Sequence, residues 1–304
     1  MKRPRRPVHG VLLLDKPTGI TSNGALQAVK RLYQAEKAGH TGTLDPFAGG
    51  LLPVCLGEAT KFSQYQLEAD KRYRAVLRLG VTTTTGDLEG DVLETRDAQF
   101  EPAQLDAVLA RFVGPGMQTP PMYSALKFQG KPLYEYARAG ITIERAARPV
   151  HIRSIELLGC TGVGLTLEVA CSAGTYIRTL AEDIGAALGC GAHLTQLTRL
   201  SSGGFQLADA VGLDQLAADD GTQRDARLSA PDALVSYLPA VEVGSVQAQA
   251  LLRGQQPRFE LAGSASGLMR VYCQTLFIGL VDVQNDGVMI AQRMMRPDSL
   301  MERL

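Results

Sequence analysis

The chain has 304 residues and a formal net charge of zero. Hydrophobic residues make up 45% of it and charged residues 20%, a balance that excludes an intrinsically disordered protein. Because the overall charge is balanced, a nucleic-acid-binding surface would have to come from a local patch of cations. The length is sufficient for two domains.

The cysteines favour a reducing compartment over a disulfide framework. Cys55, Cys160, Cys171, Cys190 and Cys273 are odd in number and never form a Cys-x-x-Cys pair. None of the four histidines lies at ligand spacing from another histidine or from a cysteine pair, so we expect no metal site.

The N-terminus is basic and reads Met-Lys-Arg-Pro-Arg-Arg-Pro. The apolar run that follows, residues 11–14, is shorter than the about 7–15 residues of a secretory signal. No stretch approaches the roughly 20 apolar residues of a membrane span. We therefore expect a cytoplasmic protein without a membrane partner. The basic arm either contacts phosphate or is a solvated tail.

The first elements are a strand and a helix. Residues 11–14 predict a short buried strand, which ends at Asp15. A helix follows it, with possible N-caps at Thr21, Ser22 and Asn23. Its apolar stripe is formed by Ala25, Leu26, Ala28, Val29, Leu32 and Tyr33.

A glycine-rich loop over residues 39–52 comes next, and it presents Asp45 near His40. Glycines allow close approach of another chain or a ligand, so this loop is a candidate site of chemistry. The alternative is an ordinary Leu-Asp-Pro turn, in which the aspartate bonds its own backbone.

Residues 73–81 alternate in polarity and predict a half-buried strand with Tyr73 on its apolar face. Pro102 predicts the start of a helix. The following segment, residues 113–149, interleaves cations with tyrosines, a composition typical of an RNA-contacting surface. A tyrosine-anchored surface loop is the alternative.

A further strand at residues 165–171 precedes a helix that contains Arg178 in its first turn and that we expect to end near Gly189. A cation there opposes the helix dipole, so a compensating anion is required. Asp45, a phosphate or Glu182, four residues on, could supply it.

The last part of the chain predicts a small β unit. Residues 214–236 form a partly helical connector, and the smaller unit begins at about residue 246. Asn285, Asp286 and Gly287 lie between two apolar runs and predict a hairpin. Short strands over this length suggest a small β-barrel.

Several separated segments, in order over residues 10 to 205, carry the pattern of one family. They are residues 14–23, 39–52, 71–73, 120–127, 133–138, 172–185, 191–194 and 197–200. In these segments the chain resembles the tRNA pseudouridine-55 synthases of the TruB type, which isomerise a uridine in the T-loop of tRNA.

The resemblance implies an α+β fold, with a mixed, mainly antiparallel sheet flanked by helices and a small C-terminal PUA-like β-barrel. It implies a catalytic domain over residues 1–245, with an RNA-contacting insert at about 113–149, and an RNA-binding domain over residues 246–304. The partner would be the T-stem-loop of tRNA, bound by a monomer. Isomerisation adds no group and no electrons, so we expect neither a cofactor nor a metal.

The resemblance also implies site residues. By their match to the family, Asp45, Tyr73 and Arg178 would be catalytic. Tyr73 would also contact the uridine, as would His40, Tyr176 and Leu197. The expected RNA contacts are Lys16, Lys127, Arg138 and Arg199. Where the family often has Thr-Asp-Thr, residues 82–87 read Thr-Thr-Thr-Thr-Gly-Asp, a departure outside the expected catalytic positions.

The chemistry requires an ionised Asp45, whether it attacks the sugar, attacks the base or removes a proton from the sugar. Burial would raise the pKa of this carboxyl, and we expect a bidentate Arg178 to reverse that effect. Two other functions stay open at this point. One is a tRNA-binding folding chaperone without chemistry, and the other is the catalytic subunit of an RNA-guided pseudouridylation particle.

Overall fold

The computed structural model describes residues 5–258 and 266–296. Its strands are β1 (Gly10–Lys16), β2 (Ala38–His40), β3 (Gly49–Leu56), β4 (Lys71–Leu79), β5 (Val81–Thr83), β6 (Val92–Thr95), β7 (Gly114–Gln118), β8 (Lys127–Phe128), β9 (Lys131–Pro132), β10 (Arg148–Thr161), β11 (Gly164–Cys171), β12 (Ala192–Ser202), β13 (Phe205–Gln206), β14 (Val211–Gly212), β15 (Ala240–Glu242), β16 (Gly267–Cys273), β17 (Leu276–Val283) and β18 (Met289–Met294). Its α-helices are α1 (Ser22–Leu32), α2 (Gln64–Leu67), α3 (Pro102–Phe112), α4 (Leu133–Arg138), α5 (Ile177–Ala187), α6 (Leu213–Ala218), α7 (Gly221–Ala226) and α8 (Ser245–Leu252).

One large sheet organises the first three quarters of the chain. Its strand order is β14-β1-β3-β12-β4-β11-β10-β7, with β13 paired to β12 and β2 paired to β3. Most neighbouring pairs are antiparallel, and β1 with β14 and β3 with β12 are parallel. The mixed, mainly antiparallel sheet that the resemblance implied is therefore confirmed.

Strand β4 shows why this sheet has one covered face. Ala75, Leu77 and Leu79 are buried, while the side chains between them are exposed or half-buried. The alternation was expected to continue to residue 81, and that was wrong. Gly80, at φ +82°, turns the chain, so Val81 starts the separate strand β5.

The covered face packs against α3 and α5. In α5 the buried positions include Ile177, Leu180 and Ile184, as the apolar spacing predicted. The chain leaves the helix at Gly189, whose φ of +83° suits glycine. Helix α1 likewise begins where expected, because the Thr21 side chain accepts a hydrogen bond from the Gly24 amide at 2.9 Å.

The C-terminal strands form a second sheet in the order β15-β16-β17-β18, with the predicted hairpin between β17 and β18. Within the described residues it is a four-stranded open sheet, and its closure into a barrel stays a prediction. Residues 259–265 and 297–304 of the predicted small unit, and residues 1–4 of the basic arm, lie outside the described residues.

The connector is partly helical, as expected, with α6, α7 and a 3₁₀-helix at Pro231–Val235. All five cysteines are free thiols, and only Cys160 is exposed. No helix in the described part of the chain is both long enough and apolar enough to cross a lipid bilayer.

Candidate active site

The loop that carries Asp45 is held from two sides. The Ser22 hydroxyl, at the start of α1, donates to the Leu44 carbonyl at 2.9 Å and accepts from the Leu44 amide at 2.8 Å. The Gly19 amide donates to the Pro46 carbonyl at 2.8 Å. The residues immediately before and after Asp45 are thereby bound to the segment that contains Gly19 and Ser22. The Asp45 side chain lines a cavity of about 320 Å³.

Arg178 meets Asp45 across this cavity. Its Nε lies 3.1 Å from Asp45 Oδ2, and the guanidinium is almost completely buried, while the carboxylate stays 35% exposed. Among the anions considered from the sequence, Asp45 is the one that Arg178 contacts. The contact uses a single nitrogen, so the bidentate pairing expected from the sequence was wrong.

The rest of the guanidinium binds groups that the sequence analysis missed. Nη1 lies 3.4 Å from Asp87 Oδ2 and donates to the Thr85 carbonyl at 2.9 Å. Nη2 donates to the Tyr123 carbonyl at 2.6 Å. Asp87 is itself buried, and its Oδ1 accepts from the Thr85 hydroxyl at 2.6 Å. The run at residues 82–87 thus supplies a second carboxylate to the site.

The charge of Asp45 is set by opposing influences. Burial raises the pKa of this carboxyl and is the largest influence. The Arg178 guanidinium lowers it, Asp87 raises it, and the Lys16 ammonium lowers it. The net pKa lies above the ordinary value, so the expectation that the arginine reverses the effect of burial was wrong.

Tyr73 and Arg199 lie side by side in the sheet, as register partners on β4 and β12. Both line the cavity. Burial raises the pKa of the Tyr73 hydroxyl, and the nearby Arg199 guanidinium lowers it. Arg199 is 1% exposed and donates to the Leu51 carbonyl at 2.7 Å and to the Gly42 carbonyl at 3.2 Å.

Tyr176 and Leu197 also line the cavity, as their match to uridine-contacting positions requires. Tyr176 is the residue that precedes α5, and Gln118 of β7 holds its backbone. The Gln118 amide oxygen accepts from the Tyr176 amide at 2.7 Å, and its Nε2 donates to the Tyr176 carbonyl at 3.0 Å. The sequence analysis did not identify this buried glutamine.

His40 lies on β2 and is half-buried, and it does not line the cavity. Its Nδ1 accepts a hydrogen bond from the Gly42 amide at 3.4 Å. Burial and the Arg199 charge lower the pKa of His40, which favours the neutral ring. In this arrangement the imidazole helps to hold the glycine-rich loop that carries Asp45.

Two buried lysines flank the cavity. Lys16 is fully buried, and its ammonium donates to the Pro17 carbonyl at 2.9 Å and the Ile20 carbonyl at 2.7 Å. Burial lowers the pKa of Lys16 to about 8. Lys71, which the sequence analysis missed, lines the cavity, and burial lowers its pKa to about 8 as well. Lys16 and Arg199 each donate two hydrogen bonds to backbone carbonyls, which leaves one donor of the ammonium and three of the guanidinium for other partners.

The insert carries its cations at the surface. Lys127 on β8 and Arg138 at the end of α4 are both exposed. The Arg138 guanidinium stacks over the Tyr134 ring at 5.4 Å, as a cation–π pair. The described residues contain no cluster of three or more His, Cys, Asp or Glu side chains that could hold a metal ion.

Three family models match consecutive parts of the chain. The N-terminal domain of TruB family pseudouridylate synthases matches residues 30–177. The C-terminal domain of tRNA pseudouridylate synthase B matches residues 178–242, and the C-terminal domain of pseudouridine synthase II TruB matches residues 239–295.

Curated relatives and solved structures agree with these matches. The tRNA pseudouridine synthase B of Thiobacillus denitrificans is 57% identical over 93% of this chain and 95% of its own length. That of Burkholderia mallei is 59% identical over 88% of this chain and 90% of its own length. A chain from a Cbf5-Nop10-Gar1 complex superposes with a TM-score of 0.71 at 27% identity, over 95% of this chain and 86% of that one.

Proposed function

The chain belongs to the TruB family of tRNA pseudouridine synthases, enzymes that form pseudouridine 55 in tRNA, and we propose that the cavity around Asp45 is where the isomerisation occurs. The supporting observation is the partly exposed Asp45 carboxylate, which lines the cavity and contacts the buried Arg178 guanidinium. A uridine pulled from its loop would enter this cavity. Enzymes that act on a base extrude it in this way.

The reaction breaks the N1–C1′ bond, turns the uracil and joins C5 to C1′. The proton on C5 leaves, and N1 of the product gains one. Nothing is oxidised or reduced, so the atoms and electrons balance within the nucleoside and one exchanged proton. Asp45 serves either as the nucleophile at the sugar or the base, or as the base that takes a proton from the sugar. Each of these roles requires its ionised form.

Tyr73 supplies a ring for stacking and a hydroxyl within the cavity. Stacking of a base on an aromatic ring contributes roughly 1–3 kcal/mol. Because burial raises the pKa of this hydroxyl, it stays protonated and can act as a donor near neutral pH. It can relay the proton that leaves C5 only if its own hydroxyl proton passes in the same step to another acceptor, either N1 of the uracil or water. Tyr176 and Leu197 would pack on the remaining faces of the uracil.

His40 would act at the entrance, by filling the space that the extruded uridine leaves in the RNA loop. Its neutral ring can stack between bases without the cost of desolvating a charge. To reach that space, the ring would give up the 3.4 Å hydrogen bond that it accepts from the Gly42 amide.

The RNA would lie across the exposed face of the insert. Lys127 and Arg138 offer their charges to phosphates there, and the target would be the T-stem-loop. The C-terminal sheet, as part of a PUA-like barrel over residues 246–304, would extend this contact. A tRNA substrate and five free thiols both suit the cytoplasm, and we propose a monomer as the active form.

A catalytic tRNA enzyme fits better than either alternative function. A chaperone that only binds tRNA has no use for a carboxylate whose charge is supported by a buried arginine. The sequence identities argue against a subunit of an RNA-guided particle. The two solved structures described as H/ACA particles are 25% and 26% identical to this chain, whereas the relatives named tRNA pseudouridine synthase B are 54–59% identical.

The decisive experiment measures tritium release from an unmodified tRNA transcript that contains 5-tritiated uridine. We expect wild-type protein to release the label and Asp45→Asn to bind the transcript with similar affinity but release none. Release by Asp45→Asn at the wild-type rate would contradict the assignment of Asp45. Binding by wild type without release would favour the chaperone.

A further inference from the structure

A second cavity, of about 710 Å³, lies beside the active-site cavity and shares helix α2 with it as a wall. Leu67 of α2 lines the active-site cavity, whereas Tyr65 of the same helix and Glu68 just after it line the second one. The remaining lining residues are Gln64, Gln66, Ala69, Gly203, Gly204 and Tyr237. The volume lies within the about 300–1,000 Å³ of small-molecule binding sites.

The lining combines aromatic surface with hydrogen-bond acceptors. The Tyr237 ring is 63% exposed, which leaves a large flat surface without a partner. Tyr65 is half-buried and packs on the core at the base of the cavity. Glu68 is exposed beside them, close enough for its charge to raise the pKa of Tyr237 together with burial and Tyr65. No lining residue is a lysine or arginine, so the cavity does not attract phosphate.

Gln66 adds an unsatisfied acceptor to this wall. Its Nε2 donates to the Leu234 carbonyl at 2.6 Å, but its buried Oε1 has no hydrogen-bond partner. Gly203 covers that oxygen so closely that a Cβ at position 203 would lie 2.4 Å from it. A buried acceptor without a donor costs about 1–3 kcal/mol. Because Gly203 covers this oxygen, it is closed to a ligand, and the cavity must offer an exposed acceptor such as Glu68 instead.

We infer that the second cavity binds another unpaired base of the substrate RNA, one that carries an exocyclic amine, stacked on Tyr237. A carboxylate such as that of Glu68 accepts from the exocyclic amine of cytosine. Adenine and guanine carry such an amine as well, whereas uracil offers only its ring N3–H. An aromatic face is the surface on which unpaired bases stack. The inference rests on the proposed function, because it needs an RNA loop opened at the neighbouring cavity.

The test measures affinity for tRNA transcripts in which each unpaired nucleotide other than the target is made abasic in turn. The protein is the full chain carrying Asp45→Asn, with and without Tyr237→Ala. We expect Tyr237→Ala to weaken binding about 5- to 150-fold, the range that base stacking gives. One of the abasic transcripts should already bind the protein with Tyr237 intact as weakly as this. For that transcript, Tyr237→Ala should cause no further loss of affinity.

Matched variants separate the ring from the acceptor. Tyr237→Phe keeps the ring and should bind as the parent does, as should Val163→Ala, an exposed change in the turn between β10 and β11. Glu68→Ala removes the acceptor. It should weaken binding only when the nucleotide identified by the abasic series carries its exocyclic amine, and it should have no effect when that base is replaced by purine, which lacks the amine.

Three outcomes would overturn the inference. The first is unchanged tRNA affinity in Tyr237→Ala, and the second is a loss of affinity that remains additive at every abasic position. The third is that Tyr237→Ala weakens binding of free cytidine or adenosine instead of binding of the tRNA. Tritium release by the wild-type protein is measured separately. Its absence would contradict the proposed function, whereas its presence with any of the three outcomes would contradict this inference alone.

Discussion

Arg178 is the residue at which the separate parts of the candidate site meet. It joins the Asp45 loop, the Asp87 loop and the backbone of Tyr123, which follow one another at intervals of about forty residues in the chain. A guanidinium has five N–H donors in a fixed plane, and this site uses all three of its nitrogens. An ammonium has three donors at a single point and cannot span the same acceptors.

We therefore expect Arg178→Lys to lower kcat by about 10²-fold or more, the size typical of removing one electrostatic group from an active site. Single-turnover tritium release at saturating enzyme would measure it. Arg111→Lys is the matched control, since Arg111 is an exposed arginine at the end of α3 and does not line the cavity. Near-normal turnover in Arg178→Lys would contradict the assigned role.

The two carboxylates make the reaction depend on pH in a defined direction. Asp87 raises the pKa of Asp45, so Asp87→Asn should lower that pKa. More of Asp45 is then ionised at any acidic pH, and the acid limb of the single-turnover rate should move to lower pH. Asp106→Asn, an exposed change in α3, is the control and should leave the acid limb in place, because Asp106 is not among the groups that shift the pKa of Asp45. A shift to higher pH in Asp87→Asn would refute this account.

The sequence pointed to Asp45 and Arg178 because each is locally unusual. One is an aspartate in a glycine-rich loop and the other a cation in the first turn of a helix. Asp87 carried no such signal, since an aspartate after a run of threonines and a glycine is typical of a turn. The hairpin of β5 and β6 brings Asp87 to Arg178. The two residues are far apart in the sequence, so their contact depends on the fold and not on a local pattern.

At the scale of elements, periodicity predicted some of the strands and helices that bury one face, and it missed others, such as β12. The strand at residues 164–171 and helix α5 are examples, because their apolar positions repeat at two and at three to four residues. The sheet order could not be predicted in the same way. The parallel contact of β12 with β3 depends on Gly50, where a Cβ would lie 2.5 Å from the Arg199 carbonyl oxygen.

Another glycine sets how closely α5 approaches the sheet. At Gly185 a Cβ would lie 2.2 Å from the Ala192 amide nitrogen, which is backbone and cannot rotate away. Helix α5 carries Arg178, so its distance from β12 determines where the guanidinium lies. Alanine would otherwise favour a helix by about 1 kcal/mol over glycine, and the close approach reverses that preference.

Gly185→Ala should therefore destabilise the protein by about 1–3 kcal/mol through overpacking, and it should slow tritium release through the displaced Arg178. Urea unfolding would measure the first effect. Gly221→Ala in α7 is the control, because nothing lies within 4 Å of a Cβ there, and it should be neutral or stabilising. Equal stability of Gly185→Ala and the wild type would mean that α5 is free to shift.

At the scale of the whole molecule, the two sheets share one apolar cluster. Phe62, which follows β3, packs its ring against Phe277 of β17 with the ring centroids 5.2 Å apart, and both belong to that cluster. Polar contacts cross the same junction, since Lys61 donates to the Met294 carbonyl at 2.9 Å. The division at residue 245 stays a prediction, and burial joins the parts on its two sides.

Shared burial predicts that the two parts unfold together. Phe62→Ala removes a fully buried ring from the junction, and such a change costs about 3–5 kcal/mol. Scanning calorimetry should show one transition in the wild type, and the whole of it should move to lower temperature in Phe62→Ala. Val246→Ala, at a position that is 83% exposed, should leave it within about 0.5 kcal/mol. Two transitions, of which only one moves, would instead mean that the C-terminal sheet can detach from the catalytic part while that part stays folded.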